Sequence, residues 1–211
     1  MKKLLISLSL TIGLSMANAA SIAIKENIDY TKISAVSKPL DTIPGKVNVT
    51  EFFSFSCIHC SILEPSLSTW YTGNKKINLQ RIQVVWESYN TGYAKINATA
   101  QLLKLNSKFI QNVFNATIND RANLEDPAQL KKFLKDNQAL VDSKKFMATY
   151  NSFAISTKPQ EYAQYTQAYN ITGTPSFIVG NKYLTKPAQA EKLIQVLQAL
   201  VDKVNQEQKN K

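Results

Sequence analysis

Cys57-Ile58-His59-Cys60 holds the only two cysteines and the only histidine in a chain of 211 residues. Two thiols separated by two residues can close into a disulfide without moving the fold. If the first sits at the start of a helix, free backbone N–H groups and the positive end of the helix dipole stabilise its thiolate. Such a pair is a redox couple rather than a staple, because a disulfide that closes so short a loop removes little freedom from the unfolded chain. In that couple Cys57 is the exposed nucleophile and a good leaving group. Cys60, one helical turn inward, is the buried resolving thiol with the higher pKa. His59 can donate a hydrogen bond or lend positive charge to the Cys57 thiolate. A metal site needs three or four ligands arranged around the ion; here two cysteines and one histidine are crowded into four residues with no other Cys or His in the chain, so no metal is expected.

The elements that must position these thiols can be read from the surrounding pattern. Gly45-Lys46 leads into Val47-Asn48-Val49-Thr50-Glu51-Phe52-Phe53-Ser54-Phe55, a β-rich run that reads as a buried central strand. Glu51 interrupts it and is therefore expected to be buried, with a raised pKa. A helix should start at the cysteines and pass through Ile62, Leu63, Leu67 and Trp70, kinked by Pro65 and ended by Gly73-Asn74. Ile77 to Trp86 is the next strand candidate. From there to about residue 156 the spacing is helical. Ala98, Leu102, Leu105 and Phe109 form one stripe; Ile110, Val113, Phe114 and Ile118 form another. Asp126-Pro127 reads as an N-cap followed by a first-turn proline, with Leu130, Phe133 and Leu134 as the buried face. Val141 to Tyr150 reads as a further short helix. Pro159 opens a helix to Tyr169, and Ser176 to Val179 is a strand. Gly180-Asn181-Lys182 turns into a return strand at Tyr183-Leu184. The final helix is apolar along Leu193, Val196, Leu197, Leu200 and Val204, and its lysine-rich tail is expected to fray.

The N-terminus carries Lys2 and Lys3, a mostly apolar stretch from Leu4 to Met16, and the small-x-small triplet Ala17-Asn18-Ala19. This reads as a signal peptide over 1–19, cleaved on export. No later run is long and apolar enough to span a bilayer. Export places both thiols in an oxidising compartment, as part of a soluble exported protein. The formal charge of +10 is spread along the chain, arginine is scarce, and aromatic residues are not interleaved with it. A solvated basic surface is the reading, and nucleic-acid binding is not expected. Trp70, Trp86 and the tyrosines Tyr162, Tyr165 and Tyr169 read as core and seam packing.

Taken together, Glu51-Phe52-Phe53-Ser54-Phe55 directly before the CxxC, Pro65 eight residues beyond Cys57, and the distant Thr174-Pro175-Ser176-Phe177 resemble the thioredoxin-fold thiol oxidases of the DsbA type. Asp29-Tyr30 and Lys38-Pro39 add to the likeness. The fold this implies is α/β: a thioredoxin domain from 20–87 and 157–211, interrupted by an all-helical insertion from 88–156. The resemblance implies a cis Thr174–Pro175 bond set against the CxxC, where the backbone of Thr174 meets an extended substrate. It implies that Glu51 accepts protons near Cys60, with Arg81 as the basic residue facing it. It also implies that the dipeptide Ile58-His59, which departs from the family's common Pro-His, tunes the redox potential.

The implied activity is donation of the Cys57–Cys60 disulfide to unfolded or partly folded exported proteins through a mixed disulfide. No cofactor is expected beyond the redox-active disulfide. A quinone-linked membrane reoxidant of the DsbB type is the implied partner, and the protein is expected to be a monomer. Two other readings stay open at the level of sequence. One is a disulfide isomerase or reductase, which Thr174 before the proline also suits. The other is a peptide-binding chaperone with an incidental CxxC.

Overall fold

The computed structural model describes residues 22–34, 36–86 and 90–210. The signal peptide expected over 1–19 lies outside them, as does the expected domain boundary at 87/88. Five strands form one mixed sheet in the order β1-β5-β4-β2-β3. They are β1 (Tyr30–Lys32), β2 (Val47–Phe53), β3 (Ile77–Gln83), β4 (Ser176–Val179) and β5 (Tyr183–Thr185). β2 is central and every one of its residues is buried, as a strand covered on both faces must be. It pairs parallel to β3, from Val47↔Ile77 to Phe53↔Gln83. On its other side it pairs antiparallel to β4.

The parallel pair requires a crossover, and helix α1 (Ile58–Gly73) supplies it. α1 and the terminal helix α8 (Ala190–Lys209) cover one sheet face. There Val47, Val49, Phe177 and Val179 meet Leu63 and Leu67 of α1 and Leu193, Leu197, Leu200 and Val204 of α8. The other face carries Phe52, Ile82 and Ile178. Against it lie α2 (Thr91–Leu102) and α7 (Lys158–Ala168), with Tyr162, Tyr165 and Tyr169 in the interface. Between α2 and α7 come α3 (Ser107–Ile118), α4 (Pro127–Asp136), α5 (Ser143–Tyr150) and the single turn α6 (Phe153–Ser156). These helices build a third cluster around Phe109, Phe114, Phe133 and Phe146, and it reaches Phe53, Phe55 and Cys60. The α/β fold with an all-helical stretch set into it is the expected one.

Several local readings need correction. The stripe Ala98-Leu102-Leu105-Phe109 is not one helix face. α2 ends at Leu102, which is 58% exposed. Lys104 adopts a left-handed backbone (φ 53°), and Asn106 caps a new helix by accepting from the Phe109 N–H at 3.1 Å. β3 stops at Gln83, short of Trp86, whose indole N–H donates to the Ile171 carbonyl at 2.9 Å. The helix expected from Val141 begins at Ser143, because the Asp142 side chain caps it through the Lys145 N–H. The C-terminal tail does not fray; α8 stays helical through Lys209. There Glu207 pairs with Lys182 and accepts from the Tyr183 hydroxyl of β5. The edge strand β1 had no sequence signal, since its three residues become a strand only by pairing with β5.

The β4–β5 hairpin turns on Gly180 (φ 61°) and Asn181 (φ 56°), both left-handed. They are the two central residues of a β-turn closed by the Lys182 N–H on the Val179 carbonyl at 3.1 Å, within the three-residue connection to β5. Glycine is required for a second reason: a Cβ at 180 would sit 2.8 Å from Val204 Cγ2 of α8.

Candidate active site at the start of α1

β2 ends at Phe53, and a tight turn carries the chain into α1. The Cys57 N–H donates to the Ser54 carbonyl at 2.9 Å. Cys57 is the N-cap residue of α1, with extended backbone (φ −91°, ψ 115°) and no side-chain cap bond of its own. Its sulfur therefore lies among the free N–H groups of the first turn. Both thiols are free, Cys57 partly exposed and Cys60 fully buried.

The two sulfurs are driven in opposite directions. Cys57 is pulled down from 9.0 to about 5. The largest cause is the hydrogen bond it receives from the Cys60 thiol. Partial burial opposes it, and the Thr174 side chain and the backbone N–H groups of Cys60 and His59 add to the lowering. Cys60 is pushed far above the usual thiol range, first by burial, then by the hydrogen bond it gives Cys57 and by the negative charge of Glu51. Ile58 and His59 are both exposed. His59 reaches the thiol through its backbone N–H, and its imidazole makes no hydrogen bond among the described residues. Of the two roles expected of His59, the imidazole hydrogen bond is not formed; the contact present is a main-chain one, which any residue but proline would supply.

Residues 117 positions away complete the site. The Thr174–Pro175 peptide is cis. β4 pairs Ser176 with Phe52, so the residues just before β4 fall beside the end of β2, where the CxxC begins. The Cys57 thiol donates to the Thr174 carbonyl at 3.3 Å.

Alternation along β2 puts Val47, Val49, Glu51 and Phe53 on one face, the face that α1 covers. Glu51 is fully buried, and burial raises its carboxyl to about 7 despite the opposing charge of Arg81. Arg81 stands directly opposite Glu51 in the β2–β3 register. Its Nε donates to Glu51 Oε2 at 2.6 Å and its Nη2 to Glu64 Oε2 at 2.5 Å. Glu51 Oε1 has no partner. Glu64 was not singled out in the sequence. A signal was available: it lies four residues after Cys60 on the same helix face and is the only acidic residue in α1.

No group of residues able to hold a metal occurs among the described residues, and none of their helices is long and apolar enough to cross a membrane.

Comparison with known proteins gives a consistent picture. A thioredoxin family model matches residues 44–199. The thiol:disulfide interchange protein DsbA of Burkholderia cepacia is 33% identical, with 97% of this chain and 98% of that protein covered. The DsbA of Pseudomonas aeruginosa is 29% identical over 84% of this chain and 85% of its own. Among solved structures, the oxidoreductase NmDsbA1 from N. meningitidis superposes with a TM-score of 0.78 at 32% identity, covering 88% of this chain and 96% of that one. Pseudomonas aeruginosa DsbA superposes with a TM-score of 0.76 at 25% identity, covering 86% and 94%. An enzyme that exchanges disulfides with protein substrates, built on a thioredoxin fold, accounts for both the likeness and the divided pair of thiols: the chain belongs to the DsbA family of thiol:disulfide oxidoreductases.

Proposed function

We propose that Cys57 and Cys60 are the redox couple and that the protein donates their disulfide to exported proteins. The observation that carries this reading is the partly exposed Cys57 sulfur at the N-cap of α1, held far more acidic than its buried partner. A substrate thiolate attacks Cys57 Sγ, the Cys57–Cys60 bond breaks, and Cys60 leaves with the electron pair. Glu51, poised near neutrality, hands Cys60 a proton. A second substrate thiolate attacks the substrate sulfur of the mixed disulfide and expels Cys57 as its stable thiolate. Two electrons pass from the substrate dithiol to the enzyme. A stable leaving thiolate makes the disulfide form the better oxidant.

Thr174 and Pro175 border the thiol, and the main chain there would meet an extended substrate segment. Ile58 and His59 form the exposed rim. The couple carries its own electrons, so no cofactor takes part. Reoxidation falls to a quinone-linked membrane partner of the DsbB type. The protein acts as a periplasmic monomer after loss of residues 1–19, with 20–87 and 157–211 as the thioredoxin-like domain and 88–156 as its helical insertion.

The test is the equilibrium of Cys57/Cys60 with glutathione, together with oxidation of a dithiol peptide. A strongly oxidising couple that converts the peptide to its disulfide is expected. A couple harder to reduce than a structural disulfide would overturn the reading.

A further inference from the structure

Gln83 ends β3 opposite Phe53 and is fully buried. Nothing in the redox chemistry above uses it. Its side chain nevertheless spends its hydrogen bonds on the turn that delivers Cys57. Oε1 accepts from the Phe55 N–H at 2.9 Å. Nε2 donates to Ser54 Oγ at 3.3 Å and to the Val84 carbonyl at 3.1 Å. Ser54 Oγ accepts in turn from the Ser56 N–H at 3.2 Å, and the Ser54 carbonyl accepts from the Cys57 N–H at 2.9 Å. Each peptide N–H from 55 to 57 is thus tied, directly or through Ser54, to one buried amide on the neighbouring strand. A carboxamide suits this task because it offers an acceptor and two donors at once. A buried amide that lost these partners would leave polar groups unsatisfied.

We propose that Gln83 is a positioning residue for the disulfide exchange: it clamps the Ser54–Cys57 turn and so fixes the helix start on which the Cys57 sulfur rests. The benefit of a helix terminus falls off within the first turn, so small displacements of the N-cap change the N–H groups that reach the sulfur. The clamp is separate from the acid cluster. That cluster is Glu51 on β2, Arg81 on β3 and Glu64 on α1, of which Glu51 acts on Cys60 through its charge, and Gln83 makes no hydrogen bond to any of them.

The inference rests on the redox reading of Cys57, and its test separates the two. Wild type, Gln83→Met and Ser54→Ala are compared by ultraviolet titration of the reduced thiolate, by equilibrium with glutathione, and by denaturant midpoint of the oxidised form. Gln83→Met keeps the length of the side chain and removes its hydrogen bonds. It is expected to raise the Cys57 midpoint by about one pH unit and to move the glutathione equilibrium about tenfold toward the disulfide. Ser54→Ala keeps the Phe55 bond, so a smaller shift in the same direction is expected. That variant carries the test if Gln83→Met does not fold. A variant that titrates and equilibrates as wild type does, whatever its denaturant midpoint, overturns the clamp and reduces Gln83 to packing. A wild-type protein unable to oxidise a dithiol peptide would overturn the function instead, with the titrations still readable.

Discussion

Where α1 begins decides how Cys57 and Cys60 differ. One sulfur sits at the N-cap among free N–H groups, and the other sits a turn further in, among Phe53, Phe55 and the insert's apolar side chains. The reduced protein should therefore show a single thiolate transition near pH 5, read by ultraviolet absorbance. A midpoint in the range of an ordinary thiol would remove the basis of the oxidant assignment. Cys60→Ala should let substrate attach to Cys57 and go no further, so that a mixed disulfide accumulates on non-reducing gels. Glu51 behaves in the opposite sense to Cys57. Its folded pKa is raised to about 7, so its contribution to stability is present below the ordinary carboxyl range and is lost as pH rises through 7. Glu51→Gln should make the oxidised protein more resistant to denaturant than wild type at about pH 8, with the two converging toward pH 4. A parallel offset at every pH would mean that titration of Glu51 is not the cause.

At the scale of elements, the site is a junction of three packed units. Phe53 at the end of β2 and Phe55 in the turn beyond it face the insert, where the Phe55 ring centroid lies 5.0 Å from that of Phe114 and 4.9 Å from that of Phe53. Phe55→Ala should cost about 3–5 kcal/mol in denaturant unfolding, because the cavity opens where sheet and insert meet and neither side can collapse freely. A loss under about 1 kcal/mol would show that the junction relaxes. Away from the site the same insert is held by ordinary local rules. Asp126 caps α4 through the N–H groups of Ala128 and Gln129 at 3.1 and 2.9 Å, and Asp126→Ala should cost about 1 kcal/mol without changing the thiol titration.

Over the whole molecule, redox state and folding stability are linked through Cys57. In the reduced protein its pKa is lowered on folding. The stabilisation is therefore complete above the unfolded value of 9.0 and disappears as pH falls through about 5. The oxidised protein has no thiolate and lacks this dependence. The stability of the reduced form relative to the oxidised form should rise by about 2 kcal/mol between pH 5 and pH 7, a figure already reduced for the partial exposure of the sulfur. Denaturant midpoints of both forms across that range measure it. A constant difference would show that the thiolate is no better solvated in the folded chain than in the unfolded one.

Much of this molecule is written locally. Cys57-Ile58-His59-Cys60 after a strand, Asp126-Pro127 as a helix start, the boundaries of β4, and the apolar face of α8 all depend on neighbours within a turn or a pleat, so spacing alone determined them. The break at Lys104 and the edge strand β1 were hidden. The first turns on a left-handed residue inside an apolar period, and the second exists only through pairing with residues more than a hundred positions away. The site divides in the same way. Sequence supplied both thiols, Glu51 and the Thr174–Pro175 pair. The likeness to the family also paired Arg81 with Glu51; only the tertiary structure added Glu64 as the second carboxylate on Arg81, gave His59 a main-chain contact, and brought Gln83 under the turn. Those contacts arise from strand register and helix docking, which join residues whose separation along the chain carries no period to read.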